Sequence, residues 1–328
     1  MKNIGIMGLG KISHRVAKGI AYAHNAQLYA VASRNIAHAQ DFQKQHPCPK
    51  AYGSYEELLH DPQVDMVYIC TPNYLHYTHI MACLQHHKHV VCEKPFVANH
   101  EQVVECFTFA KKQGCFLMEA EKTIFTPLNQ TIQQMIQDGA IGQLRYIEAS
   151  YGYDLGKENM PDDFWGYRQE DGGCSYDVGV YPLVYANFFA NSRLVSCKDM
   201  VHLTQKGYDD FMQCLLQYEN GIMASIRSCW NMTVENKGFL YGDNGYIVCE
   251  NFWKNTEALL VKEDGQEKIQ VCMESDFTPE IEHAVDCMEQ GLLESPLMSQ
   301  AASMEVMRVL DQIKGRTCVG AVSYTHLT

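Results

Sequence analysis

The first third of the chain alternates short apolar runs with longer stretches whose apolar residues recur at helical spacing. The runs at residues 4–7, 28–33, 66–70, 89–92 and 116–118 are strand-sized and largely apolar, as strands buried on both faces are. Between them, residues 12–24, 36–46, 74–85 and 97–112 carry the helical period. Such alternation predicts an α/β domain with a parallel sheet covered on both faces. Right-handed crossovers then bring the strand C-termini to one edge, where ligands bind.

After about Thr123 the pattern changes. A helix is predicted over 127–137, ending at Asp138-Gly139, and alternating segments follow. Asn220-Gly221, Asn244-Gly245 and Asp264-Gly265 each sit between such segments, which is the strongest short-range hairpin signal. This half is expected to be α+β, with an open, mostly antiparallel sheet and two closing helices at 279–290 and 300–313. The domains expected are 1–122 and 123–320, with 321–328 an aperiodic tail. An open sheet leaves a face to cover, and a second copy of the chain can cover it, so a homodimer or higher homo-oligomer is expected.

Composition narrows the function. The 328 residues hold 39 acidic and 26 basic side chains, a net charge of −13. That balance argues against a nucleic-acid surface, which needs a basic stripe. The 14 cysteines are scattered, mostly in apolar runs, with no CxxC pair, as in a reducing compartment. No apolar stretch is long enough for a signal peptide or a membrane span. The expectation is a cytoplasmic protein without membrane contact.

The chemistry begins at the first strand. Gly8, Gly10 and Ser13 form GxGxxS in Gly8-Leu9-Gly10-Lys11-Ile12-Ser13. The first glycine permits a tight turn, and the second lets backbone approach a pyrophosphate. The third position needs only a small side chain. The helix opening at Lys11 and Ile12 offers free N–H groups to phosphates. The alternative is an ordinary glycine-bearing strand–helix turn, but its place after the first strand favours a dinucleotide. The second strand ends at Ser33-Arg34, where an acidic residue would hold the ribose 2′-OH of NAD. A hydroxyl and a guanidinium suit a 2′-phosphate instead, which favours NADP and leaves NAD possible.

Thr71-Pro72-Asn73 turns the chain at the end of the third run, with His76 shortly after. Asn73 and His76 are placed to reach the nicotinamide ribose. His76 and His79 have a spacing that suits a metal pair, but no third ligand converges in sequence, so no metal is expected. Glu93-Lys94-Pro95 closes the fourth run. Glu93 can anchor the ammonium or a ribose hydroxyl, Pro95 fixes the backbone, and Lys94 is a candidate proton donor or acceptor. A second cluster runs from Gly172-Gly173 through Asp177 to Tyr181-Pro182. Asp177 and Tyr181 are spaced to share one helix face, and a phenol can relay a proton. A capped helix start with a half-buried tyrosine is the plain alternative.

Together these segments resemble the Gfo/Idh/MocA oxidoreductases over nearly the whole chain. The likeness also takes in Leu117-Met118-Glu119-Ala120, Asp138-Gly139-Ala140-Ile141-Gly142 and Glu294-Ser295-Pro296. The resemblance implies an N-terminal Rossmann domain and a substrate domain that dimerises through its sheet. It also implies cofactor contacts from Thr71, Pro72, Asn73 and Glu93, and an active site of Lys94, Asp177 and Tyr181. Tyrosine rather than histidine at the last position is similar to the branch with dimeric dihydrodiol dehydrogenase and NADP-dependent xylose dehydrogenase. Glu121-Lys122-Thr123 stands where that branch carries an aromatic-bearing stretch. Lys122, with Arg168, therefore points to a polar substrate such as a sugar or polyol. The expected activity is NAD(P)-dependent oxidation or reduction at a CH–OH group. Two alternatives are a glycosidase or lyase using the nucleotide as a resident relay, and a non-catalytic dinucleotide sensor.

Overall fold

The computed structural model describes residues 1–158 and 160–315; the tail expected at 321–328 lies outside the described residues. The chain forms two compact units. One comprises Met1–Gln130 with Val271–Met304, the other Thr131–Gln270 with the chain from Glu305 onward.

The first unit is built on six parallel strands: β1 (Lys2–Met7), β2 (Ala26–Ala32), β3 (Lys50–Tyr52), β4 (Met66–Ile69), β5 (His89–Glu93) and β6 (Leu117–Ala120). Their order is β3-β2-β1-β4-β5-β6. Helices α1 (Lys11–Tyr22), α2 (Ile36–Gln45), α3 (Tyr55–His60), α4 (His76–Gln85) and α5 (His100–Gln113) connect them. The chain reverses its direction across the sheet between β1 and β4, which puts the ligand crevice at the C-terminal ends of the central strands. β3, with 3 residues, and α3, with 6, escape a periodicity reading because neither is long enough to repeat its period twice. A capping box does mark α3: Ser54 Oγ accepts from the Glu57 amide while Glu57 accepts from the Ser54 amide. α5 starts later than its apolar pattern because Asn99 caps it, accepting from the Gln102 amide.

After α6 (Pro127–Gln137), the second unit forms an eight-stranded sheet. Its strands are β7 (Leu144–Gly152), β8 (Leu194–Leu203), β9 (Asp209–Tyr218), β10 (Met223–Cys229), β11 (Lys237–Gly242), β12 (Gly245–Glu250), β13 (Glu257–Lys262) and β14 (Gly265–Gln270). The order is β14-β13-β12-β11-β7-β10-β9-β8, antiparallel except where β10 runs beside β7. The three turn dipeptides close the hairpins β9–β10, β11–β12 and β13–β14. Their glycines take positive φ of +88°, +151° and +150°, which side chains disfavour. Helix α7 (Val180–Ala190) lies on the sheet, with Tyr185 so close to Gly238 of β11 that a Cβ there would meet its ring at 2.7 Å. Met200, Leu203, Leu215 and Met223 remain exposed on β8, β9 and β10.

Two helices end the described chain, α8 (Thr278–Glu289) and α9 (Gln300–Ile313). α8 belongs to the first unit. A Cβ on Gly19 of α1 would lie 2.6 Å from Phe277 Cβ, and Thr278 Oγ1 donates to the Gly19 carbonyl at 2.8 Å. Among the described residues no helix is long and apolar enough to cross a membrane.

Candidate active site

The turn after β1 is shaped for close approach. Gly8 has φ +91°, and a Cβ there would strike Thr71 Cγ2 at 2.7 Å. Gly10 is the N-cap of α1, and a Cβ there would find nothing within 4 Å. It supplies no side-chain cap, and no acidic residue occupies the first helical turn. The amides at Lys11 and Ile12 therefore start a helix whose dipole and donors suit phosphate oxygens. Ser13 is fully buried and donates to the Gly10 carbonyl at 2.6 Å, which fixes the turn. These residues fit a dinucleotide pyrophosphate.

At the end of β2, Ser33 is buried and accepts from the Asn35 amide at 3.4 Å, while Arg34 is exposed. His38 Nδ1 lies 3.3 Å from Ser33 Oγ. It adds a third polar group to this corner that sequence reasoning passed over, although helical spacing places it one turn from Arg34.

His76, expected near the nicotinamide ribose, is packed as a strut. It is 1% exposed, with Nδ1 2.9 Å from the Pro95 carbonyl and Nε2 2.8 Å from the Thr71 carbonyl. Burial pushes its imidazole below the ordinary value, against those carbonyls. A neutral ring donates to one of these carbonyls only, according to its tautomer, and is wedged between the turn after β4 and the turn after β5. Thr71 is also held from the side: its Oγ1 is 2.9 Å from His79 Nδ1. Burial first, and then the neighbouring His76 ring and Arg34 guanidinium, drive His79 down to about 4. Asn73 is buried and accepts from the Tyr74 amide, while Pro72 is exposed.

Lys94 follows β5, half-buried, before Pro95. Around it the interior is rich in acids that no local pattern announces. Glu93, Glu119 and Glu121 are 7%, 1% and 0% exposed, and the charge of Lys94 acts on all three. Burial pushes Glu93 up to about 7, opposed by Lys94 and Lys122. Burial likewise takes Glu119 to about 8, against a hydrogen bond from Ser303. Tyr68 and Glu280 complete the cluster.

Lys122 is also placed otherwise than as a substrate ligand. It is 4% exposed, with its ammonium 2.5 Å from Asp276 Oδ2 and above the Phe277 ring. Arg15 reaches the same carboxylate at 2.5 Å. Burial raises the Asp276 carboxyl, but the two cations together hold it below its usual value.

In the second unit, the 172–181 segment is a glycine turn running into a π-turn, Ser175–Gly179, and then α7. A π-turn widens the helix, so Asp177 lies inside a distortion and Tyr181 just after it, and the two do not share a regular helical turn; such distortions recur at functional sites. Asp209 holds the start of the segment. It is 0% exposed and accepts from the Ser175 amide at 2.7 Å and the Ser175 hydroxyl at 3.0 Å. The Lys314 ammonium lies 2.7 Å from Asp209 and 2.9 Å from the Gly172 carbonyl. Gly173, at φ +92°, leaves the room: a Cβ there would sit 2.2 Å from Asp209 Oδ1.

Asp177 accepts from the Tyr153 hydroxyl at 3.1 Å. The Tyr181 ring lies 5.4 Å from that of Tyr151, which stacks on Trp253 at 3.8 Å. Arg168 bonds Asp171 at 2.5 Å and lies 3.5 Å from Glu170.

Comparison with known proteins identifies the family. A family model described as "Oxidoreductase family, NAD-binding Rossmann fold" matches residues 2–121, and the GFO/IDH/MocA C-terminal domain matches 129–248. The chain is similar to trans-1,2-dihydrobenzene-1,2-diol dehydrogenase from Xenopus tropicalis, 32% identical over 324 residues covering 94% of this chain and 96% of that one. The Mus musculus enzyme of that name is 31% identical over 88% of each chain. Among solved structures, an aldose-aldose oxidoreductase from Caulobacter crescentus, complexed with glycerol, superposes with a TM-score of 0.86. It is 21% identical and covers 96% of this chain and 97% of its own. A 3-ketoreductase from Actinomadura kijaniata, in complex with NADP, gives 0.82 at 22% identity with the same coverage. At that identity the structures establish the fold alone.

Proposed function

The chain belongs to the Gfo/Idh/MocA oxidoreductases, and from that premise we propose that it is an NADP-dependent dehydrogenase acting on a CH–OH or carbonyl group of a sugar, polyol or related small diol. The observation that carries the reading is the placement of Lys94. It follows β5 on the strand edge that also bears the Gly8 turn, and His76 is wedged between its proline turn and Thr71 beside that glycine.

A bound nicotinamide would supply the redox step, taking or giving a hydride at the substrate carbon. Gly8, Gly10 and the first amides of α1 would hold the pyrophosphate, and Ser33, Arg34 and His38 the 2′-phosphate. The protein's own task is then the hydroxyl proton. Tyr181, assisted by Lys94, would move it, and Asp177, steadied by Tyr153, would orient the substrate. The dihydrodiol dehydrogenase relatives support a vicinal hydroxyl pair as the group recognised.

A nicotinamide-absorbance screen over aldoses, polyols, inositols and a trans-dihydrodiol, each with NADP and NAD, tests this reading. Turnover with a preference for NADP is the expected result. Substrate conversion without net absorbance change would instead favour the resident-relay chemistry, and a clear preference for NAD would overturn the cofactor assignment.

A further inference from the structure

Tyr68, Glu93 and Glu280 meet in the interior of the first unit. The Tyr68 hydroxyl oxygen lies 3.1 Å from Glu93 Oε1 and 2.7 Å from Glu280 Oε1. The three residues are 0%, 7% and 0% exposed. A phenol carries one proton and donates one hydrogen bond. With both glutamates ionised, one contact would bring a carboxylate against a phenol oxygen with no proton between them, where an unpaired charge is costly. A proton on one carboxyl removes the conflict: the acid donates to the phenol, and the phenol donates to the remaining carboxylate.

The two ends are not equivalent. Glu93 feels the charges of both Lys94 and Lys122. Glu280, on α8, faces Tyr68 from β4, Glu93 from β5, Cys70 after β4, and Glu121 and Lys122 after β6. Its Oε2 is buried without a hydrogen-bond partner among the described residues, which a neutral acid tolerates better than a carboxylate. Burial, and then the charge of Glu93, push Glu280 well above the usual carboxyl range.

We propose that Glu280 is a carboxylic acid at neutral pH and that, through Tyr68, it acts as a positioning residue holding Glu93 as the one carboxylate of this chain behind Lys94. The proposal deepens the functional reading above and rests on it for the role of Lys94. It leaves one negative charge of the pair, not two, beside the lysine, and it links β4, β5 and α8 at the end of the strand that presents it.

Infrared difference spectra of the full-length protein, without added nucleotide, test the protonation directly through the carbonyl stretch of buried acids. Glu280→Gln is expected to lose the intensity of one carboxyl near neutral pH. It should also release about one proton fewer per molecule on unfolding, read from the pH dependence of urea stability. Glu93→Gln, which removes the competing carboxylate and frees the phenol to donate to Glu280, should shift or weaken the Glu280 band. Tyr68→Phe, which keeps the acid but removes its acceptor, should shift that band, and this serves if Glu280→Gln does not fold. Unchanged intensity and proton release in Glu280→Gln, or an unmoved band in Tyr68→Phe, would overturn the proposal. None of these readouts needs turnover, so failure of the nicotinamide screen and failure of this proposal are separate results.

Discussion

At the edge of the parallel sheet, four glutamates (Glu93, Glu119, Glu121 and Glu280) are buried with two lysines near them. At the start of the 172–181 segment, one aspartate, Asp209, is buried with one lysine and the donors of Ser175. The first cluster has more carboxyls than cations, and burial raises all four glutamates. The second is matched charge for charge. Interior acids are accommodated either by taking up a proton or by pairing, and the two modes fail differently. A matched pair fixes geometry, which suits the turn that begins the Asp177–Tyr181 region. A protonated cluster can change its charge, which suits the surroundings of Lys94 in the proton-transfer role proposed for it.

The largest effect expected from this contrast is on the matched pair. Asp209→Ala would leave the Lys314 ammonium buried without its carboxylate, and Lys314→Met would leave the reverse. Each should cost about 3–5 kcal/mol of unfolding free energy by urea titration. Glu119→Gln, the neutral isostere of a protonated acid, should cost far less. Equal losses would erase the distinction.

A smaller effect lies in pH. Glu93 and Glu119 have folded-state values of about 7 and about 8, raised above the model-peptide range near 4.3. Acids with raised values favour the folded state fully at low pH. That contribution is lost as pH rises from the unfolded value through the folded one. Stability should therefore fall from about pH 5 to about pH 8, by up to about 1.4 kcal/mol per pH unit for each proton held. Glu119→Gln should flatten part of that slope, and a wild-type stability that rises over this interval would contradict the account.

Much of the fold was legible because its signals are local. Apolar runs marked five of the six strands of the parallel sheet, and asparagine–glycine or aspartate–glycine dipeptides marked three hairpins. The glycine turn and the Lys94 strand end could be read for the same reason. What could not be read is pairing across the chain. Tyr68 meets Glu280 across 212 positions, and Lys314 meets Asp209 across 105. Nothing near α8 announces its return to the first unit. His76 and Lys122 stand at the expected sheet edge, but burial turns both side chains inward to protein partners, and burial is a property of the packed fold.

The central proposal is that Lys94 and Tyr181 serve one proton transfer, and a double-mutant cycle tests it most directly. With a substrate from the nicotinamide screen, Lys94→Met and Tyr181→Phe should each lower kcat by roughly 10²–10⁴-fold. The double variant should be little worse than the poorer single one, because residues acting as a unit are non-additive. Losses that multiply in the double variant, or near-normal turnover in either single one, would contradict the account.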